Sequence, residues 1–237
     1  YERLLTLCQK RRLRTATFGK GGATVRLVSI TPQVDSQDVL LSIEGQSYNF
    51  NLPLVGEFQV YNVIAALTAV IMCGGKLTQA IEACSHLRGV SGRLEKAAPG
   101  VYVDYSHKPE ALSLALKTLR LHTKGQLWVV FGCGGNRDPF KRPVMGDIAA
   151  KLADKVSVTD DNPRYENPAE IRQQILANCP EASEIPSRRQ AIVKAIESMQ
   201  QGDVVLIAGK GHETYQQVGD QIFPFNDVEE VQKCVKK

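Results

Sequence analysis

The chain has 237 residues, of which 43% are hydrophobic and 23% charged, enough apolar content to bury a substantial core in one or two domains. A formal net charge of +4 favours anionic ligands such as nucleotides but is too small to argue for nucleic acid as a partner. With no run of about 20 apolar residues and no signal-peptide pattern, the chain is expected to work in the cytoplasm without entering a membrane.

The N-terminal part predicts a strand meander followed by helices. The basic run Lys10-Arg11-Arg12-Leu13-Arg14 reads as solvated surface. Ala23 to Thr31 and Val39 to Ile43 have strand composition, and the turn Glu44-Gly45-Gln46 leads into a third strand, Ser47 to Leu52. Helical periodicity follows from Gln59 to Met72, stopped by Gly74-Gly75, and from Leu77 to Leu87 before Arg88-Gly89. Beyond Ser91-Gly92 the order changes to alternation. Strands at 101–105, 127–131, 156–159 and 204–208 are separated by helices near 109–121, 143–152, 168–178 and 188–200. A short edge strand at 183–185 and a final hairpin and helix at 213–236 complete the pattern. This order predicts an α/β protein: a Rossmann-like, doubly wound, mostly parallel sheet in 92–237, preceded by a meander with helices in 1–91.

Three polar loops follow predicted strands, at the edge where open α/β sheets bind ligands. They are Gly132-Cys133-Gly134-Gly135-Asn136-Arg137-Asp138, Asp160-Asp161-Asn162-Pro163-Arg164 and Gly209-Lys210-Gly211-His212-Glu213. Pro163 fixes its own φ and biases Asn162 toward extended backbone, which stiffens the second loop. Arg164 can grip a carboxylate in bidentate fashion while Asp161 accepts from an ammonium, so a zwitterionic ligand suits the loop. The plainer alternative is a helix cap plus a surface ion pair between Arg164 and Asp160. Cys8, Cys73, Cys84, Cys133, Cys179 and Cys234 lack metal-ligand spacing, and His212-Glu213 lacks a second zincin histidine. Reduced thiols and no metal ligands are therefore expected in this chain.

These loops, together with Gly56-Glu57-Phe58-Gln59-Val60-Tyr61-Asn62 with Ala65-Ala66, Gly92-Arg93-Leu94-Glu95 and Val103-Asp104-Tyr105-Ser106-His107, resemble the Mur ligases of peptidoglycan synthesis. Within that family the pattern is most similar to the members that add meso-diaminopimelate. The resemblance implies an ATP- and magnesium-dependent amide-bond ligase acting on small-molecule substrates as a monomer. In the reaction the resemblance implies, the γ-phosphate of ATP passes to the D-glutamyl carboxylate of a UDP-sugar dipeptide, giving an acyl phosphate and ADP, and the amine of diaminopimelate then displaces phosphate through a tetrahedral intermediate. It also implies an amino-acid pocket at Arg137, Asp161, Asn162, Pro163, Arg164, Gly209 and Glu213, with Arg164 selecting diaminopimelate over lysine. Nucleotide contacts are implied at Asn62, Arg93 and Asp104, with His107 near the phosphates.

No Gly-x-x-x-x-Gly-Lys-Ser/Thr is present, because Gly19-Lys20, Gly75-Lys76 and Gly209-Lys210 lack the upstream glycine and the hydroxyl. Family members carry that phosphate loop, and a carbamylated lysine that helps place magnesium, upstream of the matching region. The resemblance therefore implies an inactive fragment: the end of the central ATP-binding domain in 1–91 and the C-terminal amino-acid-binding domain in 92–237. Two other readings stand beside it. One is a non-catalytic module that binds an amino acid or nucleotide. The other is a dinucleotide-dependent oxidoreductase, suggested by the glycine run after a strand but opposed by the residue at Arg137 or Asp138 where a third glycine would be required.

Overall fold

The computed structural model describes residues 2–235 and divides into two compact units, one ending at Arg88 and the other starting at Gly89. The expected helix at 213–236 thus reaches one residue beyond the described chain.

In the first unit, helix α1 (Glu2–Lys10) is followed by strands β1 (Phe18–Gly19), β2 (Val25–Pro32), β3 (Gln37–Ile43) and β4 (Gln46–Leu52), then helices α2 (Glu57–Met72) and α3 (Leu77–Cys84). The strands form one sheet in sequential order; β2, β3 and β4 pair antiparallel, and short β1 pairs parallel with β2. Alternate residues of β3 are buried, as a sheet with one covered face requires. Val39, Leu41 and Ile43 form a core with Val60, Val63, Ile64 and Leu67 of α2, whose spacing places them on one helical stripe. Helix α2 begins two residues earlier than the expected Gln59. Its N-cap is Gly56 at φ 96°, a left-handed position that glycine adopts without a Cβ clash. Helix α1 was not anticipated, although Leu4, Leu5, Leu7 and Cys8 recur at helical spacing; none of its residues is buried.

The second unit contains β5 (Glu95–Ala98), β6 (Val101–Asp104), α4 (Pro109–Arg120), β7 (Leu127–Phe131), α5 (Lys141–Leu152), β8 (Lys155–Val158), α6 (Pro168–Leu176), β9 (Ser183–Glu184), α7 (Arg188–Ser198), β10 (Val204–Ala208), β11 (Tyr215–Val218), β12 (Gln221–Pro224) and α8 (Asp227–Val235). Six strands form a sheet in the order β5-β6-β10-β7-β8-β9, parallel except for edge strand β5. The unpredicted β5 is four residues long with no buried position, which leaves no periodic signal in the sequence. Helices α4, α5 and α6 pack side by side on one face, while α7 and α8 pack together on the other. All five residues of β10 are buried, consistent with a strand covered on both faces.

Arg188, the first residue of α7, crosses to the start of α8. Its Nε and Nη2 donate to Asp227 Oδ1 and Oδ2 at 2.8 and 2.7 Å, and Nη2 also donates to the Ala208 carbonyl at 3.0 Å. Both side chains are fully buried. Two helix starts and the end of the central strand are therefore pinned by one guanidinium, and Asp227 sits where the α8 dipole favours an anion.

Asp227→Ala leaves that guanidinium buried without its carboxylate, so the chain should lose about 3–5 kcal/mol of stability in urea denaturation; a loss below about 1 kcal/mol would show that the pair is dispensable. A second expectation concerns two thiols that form no disulfide, Cys133 and Cys73. Burial pushes the Cys133 thiol up to about 12 from an ordinary value of 9.0, while Cys73 is exposed. That rise of about three pH units leaves Cys133 with about a thousandfold less thiolate than an ordinary thiol at mildly alkaline pH, so iodoacetamide there should label exposed Cys73 while leaving Cys133 intact, as read by peptide mass spectrometry. Equal labelling in the native protein would contradict the burial.

Candidate functional site

The loops after β6, β7, β8 and β10 meet at the carboxyl edge of the parallel sheet. Together they surround a cleft of about 710 Å³. The strand order reverses at β10, which lies between β6 and β7, so this is the switch point where such sheets open a crevice.

Backbone contact between the β7 and β8 loops shapes the floor. A Cβ on Gly132 would stand 2.1 Å from the Thr159 carbonyl oxygen, and one on Gly135 would stand 2.0 Å from that of Pro163. Gly135 N–H donates to the Asn162 carbonyl at 2.9 Å. Glycine is needed here because two backbones lie in contact, not because a phosphate is bound by a helix N-terminus. Helix α5 starts only at Lys141, so the glycine run does not open a helix as a dinucleotide fingerprint would.

The acidic loop divides its charges. Asp160 turns away and pairs with Arg172, which also holds Glu184 at 2.7 Å. The expected alternative pairing of Arg164 with Asp160 is thereby replaced, and so is the capping role, since Asn167 caps α6 by accepting from Ala169 N–H. Asp161 is buried; its Oδ1 accepts from Asn162 N–H at 2.7 Å, while Oδ2 lies 2.9 Å from where a Cβ on Gly209 would stand. Gly209 itself has φ 114°, so a side chain there is disfavoured by both backbone and space. Asn162 Nδ2 donates to Glu213 Oε2 at 3.0 Å, leaving Glu213 Oε1 and Asp161 Oδ2 without a donor among the described residues.

Two guanidinium groups line the same cleft. Arg164 is held at φ 51°, and hairpin β11–β12 fixes it there: its N–H donates to the Gln217 carbonyl at 3.2 Å and its carbonyl accepts from Gly219 N–H at 2.6 Å. Its Nη1 donates to the Gly135 carbonyl at 2.9 Å, and no carboxylate neutralises it among the described residues. Arg137 is exposed and likewise has no ion-pair partner among them.

Arg137, Asp161, Asn162, Arg164, Gly209, Glu213 and His107 thus line one cleft. Pro163 does not line it; its side chain faces a neighbouring depression with Pro186 and Phe223. His107 is not a helix cap: Lys108 occupies that position, and His107 Nδ1 lies 2.9 Å from the Tyr105 carbonyl. Asp104 lies beneath the cleft wall, accepting from Leu94 N–H at 2.8 Å and from the Ser106 hydroxyl. Arg93 sits 5.1 Å above the Tyr105 ring, a cation–π distance. Asn62 lies in the first unit, exposed in the second turn of α2 rather than at its cap, beside an apolar groove between α2 and α3. Sequence reasoning missed Lys141, whose Nζ donates to the His107 carbonyl at 2.7 Å, and Gln216, whose Nε2 reaches the Asp161 carbonyl at 2.6 Å. Contacts spanning 34 and 55 positions leave no local signature.

Comparison with known proteins accords with this arrangement. Residues 92–211 match the Mur ligase, glutamate ligase domain family and residues 1–70 the Mur ligase middle domain family. A UDP-N-acetylmuramoyl-L-alanyl-D-glutamate–2,6-diaminopimelate ligase of Zymomonas mobilis is 46% identical over 96% of this chain and 49% of its own length. The enzyme of that name from Chelativorans is 45% identical over 95% of this chain and 48% of its own length. A solved structure of a UDP-N-acetylmuramoyl-L-alanyl-D-glutamate–2,6-diaminopimelate ligase superimposes with a TM-score of 0.80 at 34% identity, covering 99% of this chain and 50% of that one. The chain spans about half the length of the curated relatives it matches. It belongs to the Mur ligase family.

Proposed function

We propose that this chain is the amino-acid-binding part of an ATP-dependent ligase that joins meso-diaminopimelate to UDP-N-acetylmuramoyl-L-alanyl-D-glutamate. The observation that carries the reading is the pairing of open groups in the cleft: two guanidinium groups without carboxylates beside two carboxylate oxygens without donors. Diaminopimelate offers the complement, two carboxylates and two amines. Arg164 and Arg137 grip carboxylates, Asp161 and Glu213 receive an ammonium, Asn162 donates its amide, and Gly209 lets the ligand approach the backbone. Pro163 acts indirectly by stiffening the loop. Holding the attacking amine in a fixed direction is the contribution of these residues to the reaction.

ATP supplies the phosphoryl group that activates the D-glutamyl carboxylate. For the nucleotide, Asn62 is assigned near the adenine, Arg93 and Asp104 near base and ribose, and His107 near the phosphates, following the resemblance of their motifs. Among the described residues no cluster of three or more His, Cys, Asp or Glu side chains could hold a magnesium ion, so no step is assigned to a metal in this chain. No helix among the described residues is long and apolar enough to cross a membrane, and a cytoplasmic, monomeric enzyme working on small molecules fits this reading.

Calorimetric titration of the chain with meso-diaminopimelate and with lysine tests the assignment. Arg164→Ala should weaken diaminopimelate by about 2–4 kcal/mol, roughly 30- to 1000-fold, while lysine changes little, because lysine lacks the carboxylate that Arg164 grips. Arg164→Lys should restore only part of the loss, since an ammonium cannot reproduce the fork. Equal losses for both ligands, or no binding of diaminopimelate by the unaltered chain, would overturn it.

A further inference from the structure

Lys210 is a cation with no exposed side-chain surface, in a loop whose Gly209 and Glu213 line the cleft. A buried ammonium is costly unless its protons are used. Its Nζ donates to Asn162 Oδ1 at 3.0 Å and to Glu213 Oε2 at 3.3 Å, and it lies 5.7 Å from the centre of the Tyr215 ring. Asn162 Oδ1 receives a second donor, Gln217 N–H, at 2.9 Å. Two independent donors therefore specify which end of the Asn162 amide is oxygen, and Nδ2 must then face Glu213 Oε2, where it lies at 3.0 Å. Asn162 and Lys210 together occupy Oε2 of that carboxylate. Only Oε1 remains for a ligand.

We propose that Lys210 is a positioning residue of the amino-acid site: its buried ammonium locks the Asn162 amide and one oxygen of Glu213, so that the other oxygen is aimed at the ammonium of the bound amino acid. The proposal rests on reading the cleft as an amino-acid site. It assigns Lys210 no contact with the ligand, because every polar contact of its Nζ is made to the two residues it holds. Supporting groups of this kind commonly change affinity by about 10- to 100-fold through the residues they orient. The physical reason is that Glu213, freed of Lys210, can rotate and solvate, and the Asn162 amide loses one of the two donors that fix its direction. In chain order Lys210 and Asn162 are 48 residues apart, so the arrangement exists only in the folded sheet.

Lys210→Met, of similar length and without charge, tests this in the intact chain, with circular dichroism and thermal melting reporting the fold. Calorimetry with meso-diaminopimelate should read a loss of about tenfold or more. The loss should nearly vanish when Lys210→Met is added to Glu213→Gln, because a residue acting through Glu213 has little left to act upon. Additive losses in that double-mutant cycle would overturn the proposal. A measurement without ligand separates it from the amino-acid reading itself. The Asn162 side-chain NH₂ resonances should be protected from solvent exchange in the unaltered chain and lose that protection in Lys210→Met. If the unaltered chain binds no diaminopimelate yet this protection is lost in the variant, the ligand assignment fails while the positioning by Lys210 stands. Unchanged protection in the variant would overturn the positioning. Should Lys210→Met not fold, Lys210→Gln, which keeps a shorter donor, is read in the same two ways, with an intermediate loss expected.

Discussion

Strand β10 pairs in parallel with β6 on one side and β7 on the other, so a segment reached late in the chain becomes the middle of the sheet. Every feature of the cleft follows from that insertion. It sets the loop that starts at Gly209 between the loop that starts at Tyr105 and the loop that starts at Gly132. The position is held from below by apolar contact on both faces and, at its carboxyl end, by the Arg188 guanidinium on the Ala208 carbonyl. The residue after that carbonyl is Gly209. A buried ion pair between two helix starts thus steadies the point at which the central strand gives way to the site.

Above the sheet, the loops are joined by backbone as well as by side chains. The β7 loop lies against the β8 loop at Gly132 and Gly135, with no room for a Cβ at either. The β11–β12 hairpin then closes over the β8 loop, pairing its backbone with Arg164 and sending Gln216 and Gln217 to Asp161 and Asn162. The backbone of Arg164 is thus fixed to the hairpin, and one side-chain bond each, Arg164 Nη1 to the Gly135 carbonyl and Asn162 N–H to Asp161 Oδ1, orients the two charged groups. Groups ordered before binding do not have to be ordered by a ligand, which would otherwise lose affinity.

Charge is distributed with the same economy. Asp160 and Asp161 are neighbours in sequence, yet one is consumed by Arg172 and the other keeps an oxygen toward the cleft. Arg142 is buried against Glu166 and the Gly134 carbonyl, whereas Arg137, five positions earlier, has no such partner among the described residues. In each case the residue with a structural partner has none to offer a ligand.

Much of this was determined by the sequence alone. The meander, the alternating strands and helices, and the loops Gly132–Asp138, Asp160–Arg164 and Gly209–Glu213 are local: they arise from period-two and period-3.6 patterning, and from glycine and proline at strand ends. The family was legible for the same reason, because its motifs are short and contiguous. Strand β5 was not legible, since its four residues carry no alternation, whereas helix α1 has an apolar stripe in sequence that was passed over. Only the tertiary structure decided the strand order, and with it which loops adjoin. It also decided that Asp160 turns to Arg172, that Pro163 stays outside the cleft, that Asp104 braces Leu94, and that Lys210 holds Asn162 and Glu213. Those outcomes depend on contacts between residues far apart in the chain, which no local pattern encodes; they are set when burial of both faces of β10 draws the strand ends together.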